Sequence, residues 1–378
     1  MRRFVQPSRR DYERLEEALA LAEAGRGADA VAAVLAHFFP DRALPDLRRH
    51  AFTFTQGSSR VSTRIEGDEL LVVVPLVRLP TGGAAIAALR HVLTNISGTG
   101  QLHQPHLIGD ELRLEYRDPL SRMHPAKLVE VLSRMATEAD STNDWLMGQF
   151  GATALERAPG DALDAIELER SQALWQLHWR EVEALLKQSR RQQSLFLLNE
   201  LTSYATQRVL FALPLIGVLA LRLAEAASGF NDGEEEPLKR LAVLAKCVKE
   251  MKAVSPDELA RCLVHAEYAI SPRSEGTPAM LSRFLGPGPY REQIDQRRGS
   301  GQPLDATMAL AATYYHLLTQ STWPDEVVAA LQEGLAAASE RPWREAATIL
   351  FEHAATVVER FGGDDDDDDD DAEGGDDA

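Results

Sequence analysis

The chain has 378 residues, 44% of them hydrophobic, two cysteines and a formal net charge of −18. Such a length and apolar content supply cores for two or three domains, and Cys247 with Cys262 read as buried thiols, which excludes a disulfide framework. The acidic balance argues against direct nucleic-acid binding, and Met1-Arg2-Arg3-Phe4 leads into Gln6-Pro7-Ser8 without an apolar core, so a cytoplasmic protein without a secretory leader is expected.

Residues 1–44 read as a helical pair. Tyr12, Leu15, Leu19 and Leu21 mark the first helix and Val31, Val34, Leu35 and Phe38 the second, broken by Gly25-Arg26-Gly27 and closed by Pro40. Strand patterns follow. Phe52 and Phe54 sit two apart, Val61 to Ile65 forms a second strand, and Gly67-Asp68 turns it into Leu70-Leu71-Val72-Val73-Val74. That last run is nearly all apolar, as in a central strand covered on both faces, and Pro75 predicts an end or a bulge. A helix over Ala84–Ile96 carries Ile86, Leu89, Val92, Leu93 and Ile96, a stripe that needs a sheet to cover, and stops at Ser97-Gly98-Thr99-Gly100.

The next hairpin is the clearest local signal. Leu102, Leu107 and Ile108 precede Gly109-Asp110, after which Leu112, Leu114 and Tyr116 alternate with Arg113, Glu115 and Arg117. A helix then starts at His124-Pro125 and carries Leu128, Val131, Leu132 and Met135, with a further turn or two from Asp144 to Phe150 before Gly151.

The run Ala88–Leu93, the hairpin Gln101–Arg117, Pro119-Leu120, the helix Ala126–Asp140 and the segment Trp145–Gly151 resemble the YbjN family over roughly residues 45–152. The resemblance implies helices packed on a twisted antiparallel sheet, a fold similar to type III secretion chaperones. It also implies a non-catalytic domain that binds proteins, often as a homodimer, with no catalytic residues to carry over.

Past Ala158-Pro159-Gly160 the pattern turns helical, which places a domain boundary there. Asp161 is a candidate cap for a helix running toward Leu195. Further helices are predicted over Leu198–Ala226, Glu236–Val254, Pro256–Ile270, Pro278–Leu285, Asp305–Thr319, Pro324–Ser339 and Trp343–Phe361. The most apolar stretch, Val209–Leu221, is shorter than a bilayer span and reads as a buried helix kinked by Pro214. The predicted organisation is a helical pair (1–44), an α+β domain (45–158), an all-α domain (159–361) and a disordered Asp-rich tail (362–378).

Motifs for phosphate loops, dinucleotide binding, zinc proteases and nucleophile elbows are lacking. His103 and His106, three apart by a strand, point to opposite faces and do not share a metal. Asp232-Gly233-Glu234-Glu235-Glu236 lacks the spacing of a calcium loop, and Trp175 with Trp179 reads as core packing. The tail holds Asp364 to Asp371 unbroken, and its eleven acids leave −7 for Met1–Phe361. It reads as a solubilising polyanion or as a contact for a basic protein surface.

The expectation is a non-enzymatic adaptor or dedicated chaperone that binds a protein partner, with no cofactor, metal, nucleic acid or membrane. Arg113, Glu115, Arg117 and the edge-strand backbone are the candidate contacts on the sheet, and Asp364 to Asp371 the candidate contacts on the tail. Two alternatives stand beside it. One is an enzyme or small-molecule sensor with a site near Tyr314, Tyr315, His316 or the Trp175–Trp179 pair, and the other is a structural assembly protein.

Overall fold

The computed structural model describes residues 10–96, 102–156, 160–231, 235–271 and 273–363. The aspartate run with Asp364 and Asp371, Asp232-Gly233-Glu234 and the predicted helix stop at 97–100 lie outside them.

Helices α1 (Tyr12–Glu23) and α2 (Gly27–Phe38) form an antiparallel pair. The Asp11 side chain caps α1 by accepting from the Arg14 N–H. Its backbone N–H donates to the His37 carbonyl at 3.0 Å, and the His37 ring bonds the Asp11 carbonyl at 2.7 Å, so the start of one helix is tied to the end of the other.

The strands β1 (Phe52–Gln56), β2 (Ser59–Glu66), β3 (Glu69–Arg78), β4 (Gln104–Ile108) and β5 (Glu111–Pro119) form an antiparallel sheet in the order β1-β2-β3-β5-β4, with helix α3 (Gly83–Asn95) between β3 and β4. Three two-residue hairpins set the register, at Gly57-Ser58, Gly67-Asp68 and Gly109-Asp110. In each, only the glycine has positive φ, at +57°, +60° and +66°, the pattern of a type II′ turn. The register of β3 against β5 shifts between Pro75 and Val77, so Pro75 marks a bulge and the strand continues.

Helix α4 (Pro125–Phe150) runs unbroken for 26 residues, where the sequence suggested a helix and separate later turns. Its polar middle does not interrupt it because those side chains bond inward. Asp140 accepts from the Ser58 N–H and hydroxyl at 2.6 and 2.9 Å, and buried Asn143 donates to the Ser59 hydroxyl at 2.8 Å. Val61, Leu70, Val72 and Leu114 from one sheet face share a core with Val31 and Leu35 of α2 and Leu128 and Leu132 of α4. Burial of each such side chain contributes about 1.5–3 kcal/mol. Helix α3 departs from expectation: Ala88, Val92 and Ile96 are buried, whereas Ile86 and Leu93 are exposed. After α4, the short β6 (Thr153–Ala154) pairs with the part of β3 beyond the bulge.

The helical half begins with β7 (Asp161–Ala162) and α5 (Ala165–Gln192), whose cap is Asp164, accepting from the Glu167 N–H at 2.7 Å. Asp161 is strand, not cap. Ser194 caps α6 (Leu195–Ala212), and α7 (Gly217–Asn231) is a separate helix. The predicted Leu198–Ala226 helix is thus broken, not kinked, at Pro214. The segment between the two pieces pairs with the chain beyond α9 (Pro256–Cys262), which follows α8 (Pro237–Ala253). Ile216 N–H donates to the Cys262 carbonyl and Val264 N–H to the Pro214 carbonyl. The predicted Pro256–Ile270 helix therefore ends at Cys262, where β8 (Val264–His265) pairs with β7.

Next come β9 (Ser274–Glu275), α10 (Pro278–Leu285), α11 (Pro289–Gly299), α12 (Pro303–Gln320), β10 (Ser321–Thr322), α13 (Asp325–Ala338) and α14 (Trp343–Phe361), with β9 parallel to β10. The sequence did not predict α11. The guanidinium groups of Arg291 and Arg298 lie 3.5 and 4.2 Å from the Phe351 ring centroid, which docks this polar helix on α14. Trp175 and Trp179 are fully buried in the helical core, 5.7 Å apart and edge to face.

The two halves are joined at the free side of β1. Gly57 N–H donates to the Glu267 carbonyl and Ala269 N–H to the Thr55 carbonyl. The Gln56 side chain accepts from the Ile270 N–H at 2.9 Å and donates to the Ile270 carbonyl at 2.8 Å. Ile270 belongs to the core of the α+β half. The segment after β8 therefore covers one sheet edge as an added strand would.

Candidate functional site

Strand alternation sends Val61, Thr63 and Ile65 of β2, and Leu112, Leu114 and Tyr116 of β5, toward the helices. Arg60, Ser62 and Arg64 of β2, Leu71, Val73 and Pro75 of β3, and Glu111, Arg113, Glu115 and Arg117 of β5 take the other face. Cross-strand register makes ordered rows of them: Arg64–Leu71–Arg117 and Ser62–Val73–Glu115–Gln104, with Pro75–Arg113–His106 beyond. An apolar ridge on β3 is thus edged by charged residues on both sides.

Ion pairs hold these side chains in place. Arg64 meets Glu66 at 2.7 Å; Arg117 meets Glu69 at 2.8 Å and Glu66 at 3.3 Å. Toward the Gly109-Asp110 turn, Arg113 and Arg78 meet Glu111 at 2.7 and 2.9 Å. The hydrogen bond from Arg64 holds the Glu66 carboxyl below its ordinary range. Individually such exposed pairs add little stability, but linked they order the guanidinium groups. Leu71 is only 2% exposed although no helix covers it, since Arg64 and Arg117 flank it directly. The expectation of a strand covered on both faces thus holds at Leu71, whereas Val73 and Pro75 on the same face are only half-buried.

Over the ridge lies a cavity of about 460 Å³, lined by Arg60, Ser62, Val73, Pro75 and Arg113 and walled by Leu155 and Glu156 of the segment after β6. Leu155 is fixed by its N–H, which donates to the Leu76 carbonyl. Arg60 is exposed and has no ion-pair partner among the described residues.

The predicted contacts Arg113, Glu115 and Arg117 all lie on this face. Arg60 and Arg64 join them; they alternate with Val61, Thr63 and Ile65 in the same way and were legible on that ground. The edge backbone is narrower than expected. One edge, β1, is taken by the chain itself. At β4 the Ile108–Glu111 pair closes the turn, so Pro105 and Leu107 direct their main chain outward, and Pro105 has no N–H to offer.

The other candidates separate in the fold. Trp175, Trp179, Tyr314 and Tyr315 are core residues, and the Trp175 indole donates to the Met251 carbonyl at 3.0 Å. His316 opens to one groove and Tyr315 borders another. His103 is buried against Glu138 at 2.8 Å, while His106 is exposed near Glu115. Among the described residues no group of acidic, histidine and cysteine side chains is placed to hold a metal ion, and no helix is long and apolar enough to cross a membrane. Both cysteines are free and buried, and burial pushes the Cys247 thiol up to about 12. The chain matches no family model and no curated protein.

Proposed function

We propose that this chain is a non-enzymatic adaptor or dedicated chaperone that takes a segment of a protein partner on the open face of its sheet. The observation that carries this reading is the cavity over Val73 and Pro75, a strip of apolar surface set between ordered arginines, with Arg60 left without an acidic partner among the described residues. A segment presenting apolar side chains to the ridge and a carboxylate to Arg60 matches that surface in shape and charge. The order of strands, helix, hairpin and helix, on which the resemblance to the YbjN family rests, supports a binding role over a catalytic one. The aspartates from Asp364 to Asp371 add a polyanion suited to a basic patch on the same partner.

Quantitative affinity purification from the source cells tests the reading. The intact chain, Arg60→Glu and Arg60→Glu/Arg113→Glu are compared, with circular dichroism as the check on folding. A partner enriched with the intact chain and lost with either variant is expected. A protein profile unchanged by both variants contradicts the sheet face as the docking surface.

A further inference from the structure

A second groove lies in the helical half, remote in role from the sheet face and independent of it. It has a volume of about 360 Å³ and is lined by Glu200 and Ser203 of α6, Arg283 and Phe284 of α10, Tyr290 of α11 and His316 of α12. Four helices converge on it, so its walls are set by the bundle and not by a loop.

Its polar groups are left over from the packing. Glu200 accepts a hydrogen bond from the Tyr290 hydroxyl at 2.8 Å and makes no ion pair among the described residues. Arg283 is exposed at the rim and has no acidic partner among those residues. The His316 ring packs on Phe284 with centroids 5.2 Å apart, and neither nitrogen has a hydrogen-bond partner among the described residues. Among the described residues the groove thus holds an acid and a guanidinium that make no ion pair, together with the rings of Phe284 and Tyr290. Charging the desolvated Glu200 is costly without a partner, so it stands to gain from a cationic ligand group, while Arg283 at the exposed rim is placed to meet an anionic one.

We propose that this groove binds a small zwitterion with an apolar body, of the class of a free aromatic amino acid, its ammonium on Glu200, its carboxylate on Arg283 and its ring against Phe284 and Tyr290. Burial pushes the Glu200 carboxyl up to about 7, against the lowering pull of the Tyr290 hydroxyl and of Arg297, and burial pushes His316 down, leaving a neutral imidazole as acceptor. The charged groups facing Glu200 are Arg297 of α11, itself 3.6 Å from Asp305, and Arg283 and His316 across the groove. An arriving ammonium needs ionised Glu200, so affinity rises with pH through that range.

The test uses the full chain and L-phenylalanine, with phenethylamine and hydrocinnamate as single-charge analogues, followed by saturation-transfer NMR and calorimetry. L-Phenylalanine is expected to bind more tightly than either analogue, to weaken about tenfold from about pH 8 to about pH 6 as Glu200 takes up its proton, and to weaken about tenfold or more in Glu200→Gln and in Arg283→Gln. Arg283 is exposed, so its variant keeps the test valid should Glu200→Gln fold poorly. No binding of L-phenylalanine at millimolar concentration overturns the proposal. So does binding indifferent to both variants, or an analogue that binds as well as the zwitterion.

Discussion

Replacing Gln56 by alanine tests how the two halves are joined. Gln56 is 1% exposed, and its amide satisfies both the N–H and the carbonyl of Ile270, which is itself 1% exposed. The alanine leaves two buried main-chain groups without partners, each costing about 1–3 kcal/mol. The neighbouring bonds from Gly57 N–H to the Glu267 carbonyl and from Ala269 N–H to the Thr55 carbonyl persist, which limits relaxation and holds the loss to about 2–4 kcal/mol. The assay is urea unfolding followed by tryptophan fluorescence and by circular dichroism. Of the five tryptophans, only Trp145 belongs to the α+β half, so fluorescence reports mainly on the helical one. The expected result is a lower midpoint together with separation of the two signals, because the joint that makes the halves cooperate is weakened. A loss below about 0.5 kcal/mol with coincident transitions refutes the role assigned to Gln56.

Three other predictions concern single groups. Folded Glu200 keeps its proton to about 7, whereas the unfolded side chain loses it near 4.5; the unfolded chain binds fewer protons between those values, so stability falls as pH rises through that window and is level above it. Glu200→Gln removes this decline, and scanning calorimetry should show the variant gaining on the parent at alkaline pH relative to acid pH. Phe351→Leu removes the ring under Arg291 and Arg298, and at about 0.5–2 kcal/mol per cation–π contact it should cost about 1–3 kcal/mol in urea midpoint analysis. Cys247 and Cys262 are buried, so an aromatic disulfide reagent should label them only as fast as the helical half opens, and labelling faster than unfolding contradicts their placement.

Much of the α+β half was legible because period-two alternation and glycine-first turns are local signals. They located the strands from Phe52 to Tyr116 and put Arg113, Glu115 and Arg117 on one face. What failed was set by distant partners. The apolar run around Pro214 reads as one helix, yet its main chain pairs with the segment after Cys262. The stretch after Cys262 reads as helix, yet it is held extended by Pro214 and by the edge of β1. Helix α11 has few apolar residues and opens at Pro289 after Pro287-Gly288, a loop pattern; rings from other helices hold it through its arginines. Asp161 and Asp164 are equally good caps by composition, and pairing with β8 decides between them. In the sheet cavity, Leu155 and Glu156 carry no signal, since only the fold of the chain after α4 brings them to β3. The trace of the second groove in the sequence was His316, a candidate for a small-molecule site beside Tyr314 and Tyr315; Glu200, a lone acid within the apolar stretch from Leu195 to Leu201, was not among the candidates.

Two surfaces emerge, one built by a sheet face and one by four helices, and the first bears the main functional claim. Site-specific photo-crosslinking measures it most directly. A benzophenone amino acid is placed at Ser62, in the sheet cavity, and in a separate protein at Lys246, on the exposed side of α8. In the source cells, the account predicts one predominant protein adduct from position 62, absent from position 246 and abolished when Arg60→Glu is added. Adducts equal at the two positions, or an adduct from position 62 that survives Arg60→Glu, would contradict it.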